Sequence, residues 1–591
     1  MRALDDPNGL AAQTKAGRDA KATGTSGVAG ATSAAGAGGH GGKALTRRSF
    51  VSLAGMGALC AMMGTLGACA PSTPSASGTQ APQGAGGNAS QVVVTMTPSS
   101  EPAAGFDPLF SWGCGEHVHE PLIQSTLFAT NADLEFVNDL ATSYECSADG
   151  LTWTFRIRDD VTFTDGEPLT ASDVAFTILG IRDNEAAEAD LSMVADAVAP
   201  DATTCVVTLA KPFNAFLYTL AVVGIVPEHA YGPDYGRNPI GSGRYLLEQW
   251  DEGQQVILAA NPDYYGTAPN IERVVVLFME EDASAAAAQS GQADVAYTAP
   301  TLASNASFPG FGLLVCKSVD SRGISLPCTA PGGSKKDGIA TYPAGNQATC
   351  DEALRKAINC GVDRAAMIEG VLDGYGTEAY SVSDGMPWAS DAMKVEYDPE
   401  RARRILEEGG WRLANDGVYA KDGVRASFEL LYSASDSVRQ ALANEFANQM
   451  AAIGVEVVPK GAAWDDIYPH EYDTPVLWGW GANSPVELYT LHYGPSAGNY
   501  AVYENDAVNA HLDAALAATT VEESYPEWQA AAWDGQTGFA PQGGAPWVWL
   551  ANVDHLYFKR DGLNVARQKP HPHGHGWSLV NNVDAWSWDE A

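Results

Sequence analysis

The stretch LATSYECSADGLTWTFRIRDDVTFTDGEPLTASDVAFTI, residues 140–178, carries the clearest structural signals in this sequence. Apolar and polar residues alternate through its middle, which predicts a half-buried strand, then a turn and a second strand. Its last part has apolar residues at helical spacing, which predicts an amphipathic helix. The residues predicted to face inward are Trp153, Phe155, Ile157, Val174, Ile178 and Ile181.

The same alternation of strands and helices continues on both sides of this stretch. QVVVTMTP at residues 91–98 predicts a strand, and Asp398 followed by Pro399 predicts a helix start that Gly409 and Gly410 bring to an end. Residues 427–458, SFELLYSASDSVRQALANEFANQMAAIGVEVV, predict a strand, a helix and a second strand. We therefore expect an α/β protein with open mixed sheets covered by helices.

Length and charge limit the classes of function. A chain of 591 residues is too long for one core and predicts two or three folded units. A net charge of −38 makes nucleic acid an unfavourable partner. The sequence contains no G-x-S-x-G, H-E-x-x-H or G-x-x-x-x-G-K-[ST] motif, so we do not expect an enzyme.

The N-terminal region has the layout of an export signal. Arg47 and Arg48 precede an apolar stretch that runs from residue 50 to 68, and the pair resembles a twin-arginine signal. Leu66-Gly67-Ala68-Cys69 resembles a bacterial lipobox, in which Cys69 is acylated and becomes the first residue. Residues 70–91 have the composition of a flexible tether. We expect a protein anchored by lipid at the outer face of the cell membrane, in the periplasmic space where an outer membrane is present.

Five ordered blocks resemble one protein family. Residues 140–178 are followed by NPIGSGRYLLEQWDEGQQVILAANPDYYG (238–266), DEALRKAINCGVDRAAMIEGVLDGYGT (351–377), YDPERARRILEEGGW (397–411) and VLWGWGANSPVELYTLHYG (476–494). Together they resemble the family 5 extracellular solute-binding proteins, the peptide- and nickel-binding components of bacterial ABC importers. The resemblance covers roughly residues 92–591.

The resemblance implies a two-lobed fold of the periplasmic-binding-protein (Venus flytrap) type with mixed sheets and an extra subdomain in the first lobe. The expected boundaries are an export signal at 1–69, the tether at 70–91, first-lobe segments at 92–130, 236–310 and 521–591, the appended subdomain at 131–235, and the second lobe at 311–520. Gly241 and Gly243 in the second block are expected to provide unusual backbone conformations where the chain re-enters a lobe.

The resemblance also implies a function. Di- or oligopeptides are expected to bind between the lobes, and the closed form would then be recognised by a permease with its ATPase. A nickel or other metal chelate is the alternative ligand of the same importer family, and a sensor lipoprotein without a transporter is a third possibility. We expect a monomer with no resident cofactor, where a transition metal would be a transported ligand.

Four residues are candidates for ligand binding. Trp478 and Trp480 would share one face of a strand and could stack on a ligand, although two core aromatic residues fit the pattern as well. Asn483 stands where the family often has an aspartate that pairs with the peptide amino group, so this chain offers an acceptor without charge. Arg322 is a candidate for a ligand carboxylate, and its alternative role is an ion pair at the surface or between the lobes.

Two histidine-rich stretches are candidates for metal binding. In KPHPHGHGW, residues 569–577, His571, His573 and His575 would share one face of an extended segment. In CGEHVHEPLIQSTL, helical spacing would bring His117 together with Glu120, or Glu116 with His119. Structural histidines in a polar strand are the alternative for the first stretch, and an ordinary amphipathic helix start is the alternative for the second.

Overall fold

The computed structural model describes residues 90–102, 104–112, 119–184, 186–337, 340–573 and 576–589. The expected signal, lipidation site and most of the tether, together with His117 and His575, lie outside these residues. In the described ranges, no helix combines the length and the apolar character that crossing a membrane requires.

The described part of the chain contains the following strands and helices. Up to residue 310 these are β1 (Gln91–Met96), β2 (Phe128–Thr130), β3 (Phe136–Asn138), β4 (Ala141–Cys146), β5 (Thr152–Ile157), α1 (Ala171–Arg182), β6 (Val194–Asp201), β7 (Thr204–Leu209), α2 (Phe216–Leu220), β8 (Tyr245–Asp251), β9 (Gln255–Ala260), β10 (Arg273–Phe278), α3 (Glu281–Gln289), β11 (Val295–Thr298) and α4 (Pro300–Asn305). They are followed by β12 (Phe311–Cys316), β13 (Ser321–Ser325), β14 (Gly333–Lys336), β15 (Thr341–Ala344), α5 (Glu352–Gly361), α6 (Arg364–Val371), β16 (Gly376–Glu378), α7 (Pro399–Glu408), β17 (Arg412–Leu413), β18 (Tyr419–Lys421), β19 (Val424–Arg425), β20 (Ser427–Ser433), α8 (Ser437–Ala452) and β21 (Glu456–Ala462). The last elements are α9 (Trp464–Ile467), β22 (Val476–Trp480), α10 (Val486–His492), α11 (Asp506–Ala517), α12 (Val521–Ala532), β23 (Trp547–Val553), β24 (His555–Arg560), β25 (Leu563–Asn564), α13 (Trp577–Val580) and β26 (Ser587–Trp588).

The first lobe is built on a seven-stranded sheet with the order β12-β24-β11-β1-β10-β9-β8. The central strand β1 pairs in parallel with β10 and β11, whereas the other pairs are antiparallel, so the sheet is mixed as expected. The C-terminal segment packs its apolar side chains, among them Trp577 and Trp586, against this sheet. The beginning and the end of the described chain therefore share one core.

The appended subdomain contains the stretch that opens the sequence analysis. Strand β5 lies inside the four-stranded sheet β4-β5-β7-β6, and its Trp153, Phe155 and Ile157 are buried as predicted. Helix α1 begins at the predicted position because Thr170 and Asp173 form a capping box. The predicted second strand is absent from this part of the chain, since residues 161–168 form only an isolated bridge between Thr162 and Pro168.

The second lobe is built on a six-stranded sheet with the order β16-β23-β13-β22-β20-β21. Strands β20 and β21 pair in parallel and are joined by α8, which confirms the strand-helix-strand unit predicted for residues 427–458. Helix α7 begins after the N-cap residue Asp398, with Pro399 at its first position, and Gly410 beyond its end has a φ of 91°. Local signals therefore placed these elements correctly.

The chain passes between the two large sheets twice, at residues 317–320 and at Asp554. Strand β12 pairs with β24 in the first sheet, and their continuations β13 and β23 pair in the second sheet. The crossings lie later than the expected boundaries at residues 311 and 520. Each observed crossing lies between two strands that follow each other almost without a break. No glycine- or proline-rich turn in the sequence marks the change of sheet there.

The lobes also touch through the appended subdomain. Asn214 Nδ2 donates a hydrogen bond of 2.7 Å to the carbonyl oxygen of Ala515 in α11. The rings of Tyr218 and Trp388 lie 5.7 Å apart at an interplanar angle of 74°. One apolar core runs from the subdomain into the second lobe, so separation of the lobes must break buried contacts on this side.

Candidate ligand-binding site

The hinge is formed by the two crossings, which run side by side. Lys317 Nζ lies 2.7 Å from Asp554 Oδ2, and the amide of Val553 donates to the carbonyl oxygen of Asp320 at 3.0 Å. Ser318 Oγ donates to the carbonyl oxygen of Val553 at 2.5 Å. These contacts hold the two connecting segments together, so that they must bend as a pair.

A strap formed by residues 569–573 lies across the hinge. The amide of His571 donates to the carbonyl oxygen of Lys317 at 3.0 Å, and the amide of Val319 donates to the carbonyl oxygen of His571 at 2.8 Å. On the second lobe, the amide of His573 donates to the carbonyl oxygen of Gly481 at 2.9 Å. The strap therefore belongs to the first lobe by sequence and is hydrogen-bonded to the second.

Gly481 allows this approach because a side chain would not fit. A Cβ atom at this position would overlap the backbone oxygen of Val319 in the hinge. Gly241 and Gly243 have a similar role in the first lobe, where Cβ atoms would overlap the backbone at Leu122 and Ile123. Neither of the last two has a positive φ, so close approach explains these glycines rather than the unusual conformation expected from the sequence.

A buried cluster of charges and imidazoles surrounds Asp320. Its carboxylate contacts the guanidinium of Arg322, and the two side chains are 0% and 5% exposed. Asp320 Oδ2 lies 3.2 Å from His555 Nε2, and Asp320 Oδ1 lies 2.5 Å from His573 Nδ1. The cluster thus joins the hinge, the strap and the second lobe through one carboxylate.

Electrostatics within the cluster follow from burial. Burial favours the neutral form of Arg322, but Asp320 and Asp436 outweigh it and raise the pKa of the guanidinium. Burial, together with the adjacent Arg322, lowers the pKa of Arg439 to about 10. Burial lowers the pKa of His571 and of His573, in the latter case against the opposing effect of Asp320. Arg322 is therefore an ion-pair partner inside the protein, and contact of its guanidinium with a ligand carboxylate stays a prediction.

A cavity of about 140 Å³ lies between the lobes. Its wall combines residues of the first lobe, the subdomain and the second lobe. These residues are His119, Glu120, Thr130, Tyr218, Ala221, Val222, Ala482, Asn483, Ser484, Lys569, Pro572, Ser578 and Asn581. Asn483 Nδ2 donates to the carbonyl oxygen of Pro570 at 3.2 Å. Among the described residues, the buried Asn483 Oδ1 and Ser578 Oγ have no hydrogen-bond partner. Each lobe thus contributes to this wall one residue that has a buried polar atom without a hydrogen-bond partner.

An ion pair separates this cavity from a second one. The ammonium of Lys569 contacts Glu120 Oε1 and donates to Thr130 Oγ1 at 2.8 Å. Both charged residues also line a cavity of about 300 Å³ within the first lobe and its subdomain. Burial lowers the pKa of the Lys569 ammonium to about 7.

A comparison with models of protein families identifies the family of this two-lobed chain. The model described as "Bacterial extracellular solute-binding proteins, family 5 Middle" matches residues 135–501. The chain belongs to this family. The predicted membership and the predicted two-lobed α/β fold are thereby confirmed.

Two relatives of this family 5 protein match it over most of their length, and a solved structure shares its fold. Protein XP55 of Streptomyces lividans is 34% identical over 499 residues, covering 80% of this chain and 86% of that protein. The probable D,D-dipeptide-binding periplasmic protein DdpA of Escherichia coli is 28% identical over 441 residues, covering 70% and 80%. The structure of NikZ from Campylobacter jejuni in complex with Ni(L-His) superposes with a TM-score of 0.70 at 24% identity, covering 84% of this chain and 99% of that one.

The two candidate tryptophans are part of an aromatic stack in this family 5 protein. Trp478 is 4% exposed, and its ring lies 4.2 Å from that of Tyr500 and 5.6 Å from that of Trp464. Trp480 contacts the edge of the same Tyr500 ring and donates its indole hydrogen to Glu487, whose pKa burial raises to about 7. The predicted shared face is present, and ligand contact by these rings stays a prediction.

The histidine candidates take different partners. His571 is fully buried, with Nδ1 3.1 Å from His555 Nδ1 and Nε2 3.1 Å from Gln568 Oε1, whereas His573 faces Asp320. His119 lines the cavity between the lobes but, like Glu120, lies outside any helix, so helical spacing does not apply to these two residues. Their predicted partners, Glu116 and His117, lie outside the described residues. Across the described ranges, no group of three or more His, Cys, Asp or Glu side chains is arranged to hold a metal ion.

Several residues of the site were not predicted from the sequence, because no local pattern marks them. Asp320 and His555 meet although 235 positions separate them, and Glu120 and Lys569 meet across 449. Ser578 and Arg439 have ordinary sequence surroundings. Lys569 is the first residue of the KPHPHGHGW stretch, which the sequence analysis had already selected. An acidic partner for this lysine was therefore the one contact for which the sequence offered a starting point.

Proposed function

We propose that this protein captures short peptides between its lobes and delivers them to the permease of an ABC importer. The observation that carries the proposal is the cavity between the lobes, whose wall includes Asn483 from the second lobe and Ser578 from the first, each with one buried polar atom, Oδ1 and Oγ, that has no hydrogen-bond partner. An acceptor and a hydroxyl suit the ammonium, amide and carboxylate groups of a peptide. The name of the relative DdpA supports the same ligand class.

Closure of the lobes supplies the signal to the transporter. A ligand that hydrogen-bonds to both lobes is bound more tightly by the closed form, and this difference in affinity shifts the population toward that form. The same ligand would form hydrogen bonds with two polar atoms that otherwise have no partner. Leaving a buried polar group without a partner costs about 1–3 kcal/mol. Ligand binding and closure therefore stabilise each other.

The first test is identification of the ligand. The protein is purified under native conditions, and the molecules that accompany it are identified by mass spectrometry and elemental analysis. We then expect Asn483→Ala and Ser578→Ala each to weaken binding of the recovered peptide about 5- to 10-fold, the value of one neutral hydrogen bond. The exposed Asn448→Ala and Ser143→Ala serve as matched controls. Equal affinity in all four variants would contradict the proposal.

A metal chelate is the second candidate ligand, because His119 stands in the cavity wall. Its ring is 3% exposed, and burial, with smaller effects of His573 and His555, lowers its pKa to about 4. A neutral imidazole is the form that binds transition metals. Calorimetric titration with nickel in the presence of L-histidine tests this candidate, and His119→Ala should abolish any heat that is observed. Stoichiometric nickel without peptide in the purified protein would replace the first candidate by this one.

We also propose that the mature protein is a monomer anchored by a lipid on Cys69, with residues 70–91 as its tether. In cells grown with radiolabelled palmitate, the protein should carry label and partition into the membrane fraction. Cys69→Ala should remove both properties, whereas Cys60→Ala, outside the lipobox pattern, should retain them. Label that persists in Cys69→Ala would show that the anchor lies elsewhere.

A further inference from the structure

The contact between Lys569 and Glu120 is an ion pair inside the protein. The side chains are 7% and 17% exposed, so both charges are largely removed from water. Such a pair must offset the cost of its own desolvation, and its net contribution to stability is small or unfavourable. The scaffold therefore gains little from keeping these charges at this position.

The location of the pair indicates another role. Glu120 and Lys569 line both the cavity between the lobes and the larger first-lobe cavity, together with Thr130, Ala221 and Asn581. They form the wall between the two spaces. A ligand that enters the cavity between the lobes meets these charges within the first lobe, while Asn483 is presented by the second.

We propose that this ion pair recognises a zwitterionic ligand by exchange of partners, so that the ligand's ammonium replaces Lys569 on Glu120 and its carboxylate replaces Glu120 on Lys569. The inference rests on the proposed peptide-binding function and specifies which peptides are bound, namely short ones with both termini free.

A ligand with a single charge fits this wall less well. A cation on Glu120 would leave Lys569 buried without an anion, and an anion on Lys569 would leave Glu120 without a cation. Uncompensated buried charges are strongly unfavourable. A zwitterion preserves one opposite charge for each member of the pair. The cavity of about 140 Å³ between the lobes suits a ligand of one or two residues.

The test uses four equimolar pools of dipeptides that carry every residue type at each position. One pool has free termini, one is N-acetylated, one is C-amidated, and one is blocked at both ends. Native mass spectrometry measures the bound fraction for each pool. The wild-type protein should bind the free pool at least about 10-fold more tightly than either singly blocked pool, as expected for loss of a charge-assisted hydrogen bond.

Two variants assign the discrimination to the two residues. Glu120→Gln should reduce the preference for a free amino terminus to below about 3-fold, and Lys569→Met should do the same for the carboxylate. The double variant leaves no buried charge behind and should bind all four pools alike, even where a single variant folds poorly. The exposed pair Glu429 and Lys460, 3.4 Å apart and 54% and 57% exposed, provides Glu429→Gln and Lys460→Met as controls.

The outcomes separate this inference from the function on which it rests. Equal binding of all four pools by the wild-type protein, or terminal preferences that persist in the double variant, would overturn the exchange of partners while peptide binding stands. Binding of none of the pools by the wild-type protein would overturn the dipeptide ligand class itself.

Discussion

Replacement of Asp320 by asparagine is expected to lower the free energy of unfolding by about 3–5 kcal/mol, the cost of removing one partner from a buried ion pair. Asp320 is the anion that contacts Arg322, and both side chains are at most 5% exposed. The nearby Arg439 is also buried and cationic, so the loss of Asp320 leaves two guanidiniums facing mainly Asp436. The amide would retain the size of the side chain but not its charge.

Urea denaturation followed by tryptophan fluorescence measures this change. Asp391→Asn is the matched control, because Asp391 pairs with Lys394 at 2.8 Å on the surface, with side chains 93% and 67% exposed. No measurable change in stability is expected there. The double variant Asp320→Asn with Arg322→Met should be less destabilised than Asp320→Asn alone, since it buries fewer unpaired charges. Equal stability of Asp320→Asn and the wild-type protein would show that the cluster is not held by this carboxylate.

Replacement of Gly481 by alanine is expected to weaken ligand binding at least about 10-fold and to cost about 1–3 kcal/mol of stability, the range for an overpacked site. The added methyl group would overlap the backbone oxygen of Val319, which is part of the hinge and cannot rotate away as a side chain could. The second lobe would have to move away from the hinge, and the hydrogen bond from the amide of His573 to the oxygen of Gly481 would lengthen.

Two measurements follow the effect of Gly481→Ala. Binding of the recovered ligand reports the affinity, and solution scattering reports whether the ligand-bound form is more extended than in the wild-type protein. Gly312→Ala is the control, because a Cβ atom at Gly312 in β12 meets nothing within 4 Å and its φ is not positive. Unchanged affinity and scattering for Gly481→Ala would mean that the hinge accommodates the methyl group.

The elements that sequence reasoning placed correctly are those with signals inside a short window. Helix α1 has its capping box and buried face within about a dozen residues, and Asp398 with Pro399 marks the start of α7 in the same way. The predicted strand after β5 failed because alternation alone does not supply a pairing partner, and residues 161–168 find only an isolated bridge. The family resemblance placed these elements in a two-lobed arrangement.

The candidate site was less predictable because its contacts join distant parts of the chain. Asn483 was found from a family position, and Arg322 was recognised with its partner unknown. Asp320 is only two residues from Arg322, yet its environment depends on His555 and His573, which the fold brings from the C-terminal part of the chain. No local pattern distinguishes an aspartate that will be buried beside an arginine from one on the surface of so acidic a protein.

The paired crossings have a mechanical consequence. Two short connections that run side by side define one axis, and a rotation about that axis leaves the pairing of β12 with β24 and of β13 with β23 intact. Twisting or sliding of the lobes would instead shear those ladders. Rotation about this axis is therefore the lobe motion that keeps both ladders paired, and opening along it must also break the buried contacts between the subdomain and the second lobe. The size of a bound ligand would then set a single angle between the lobes.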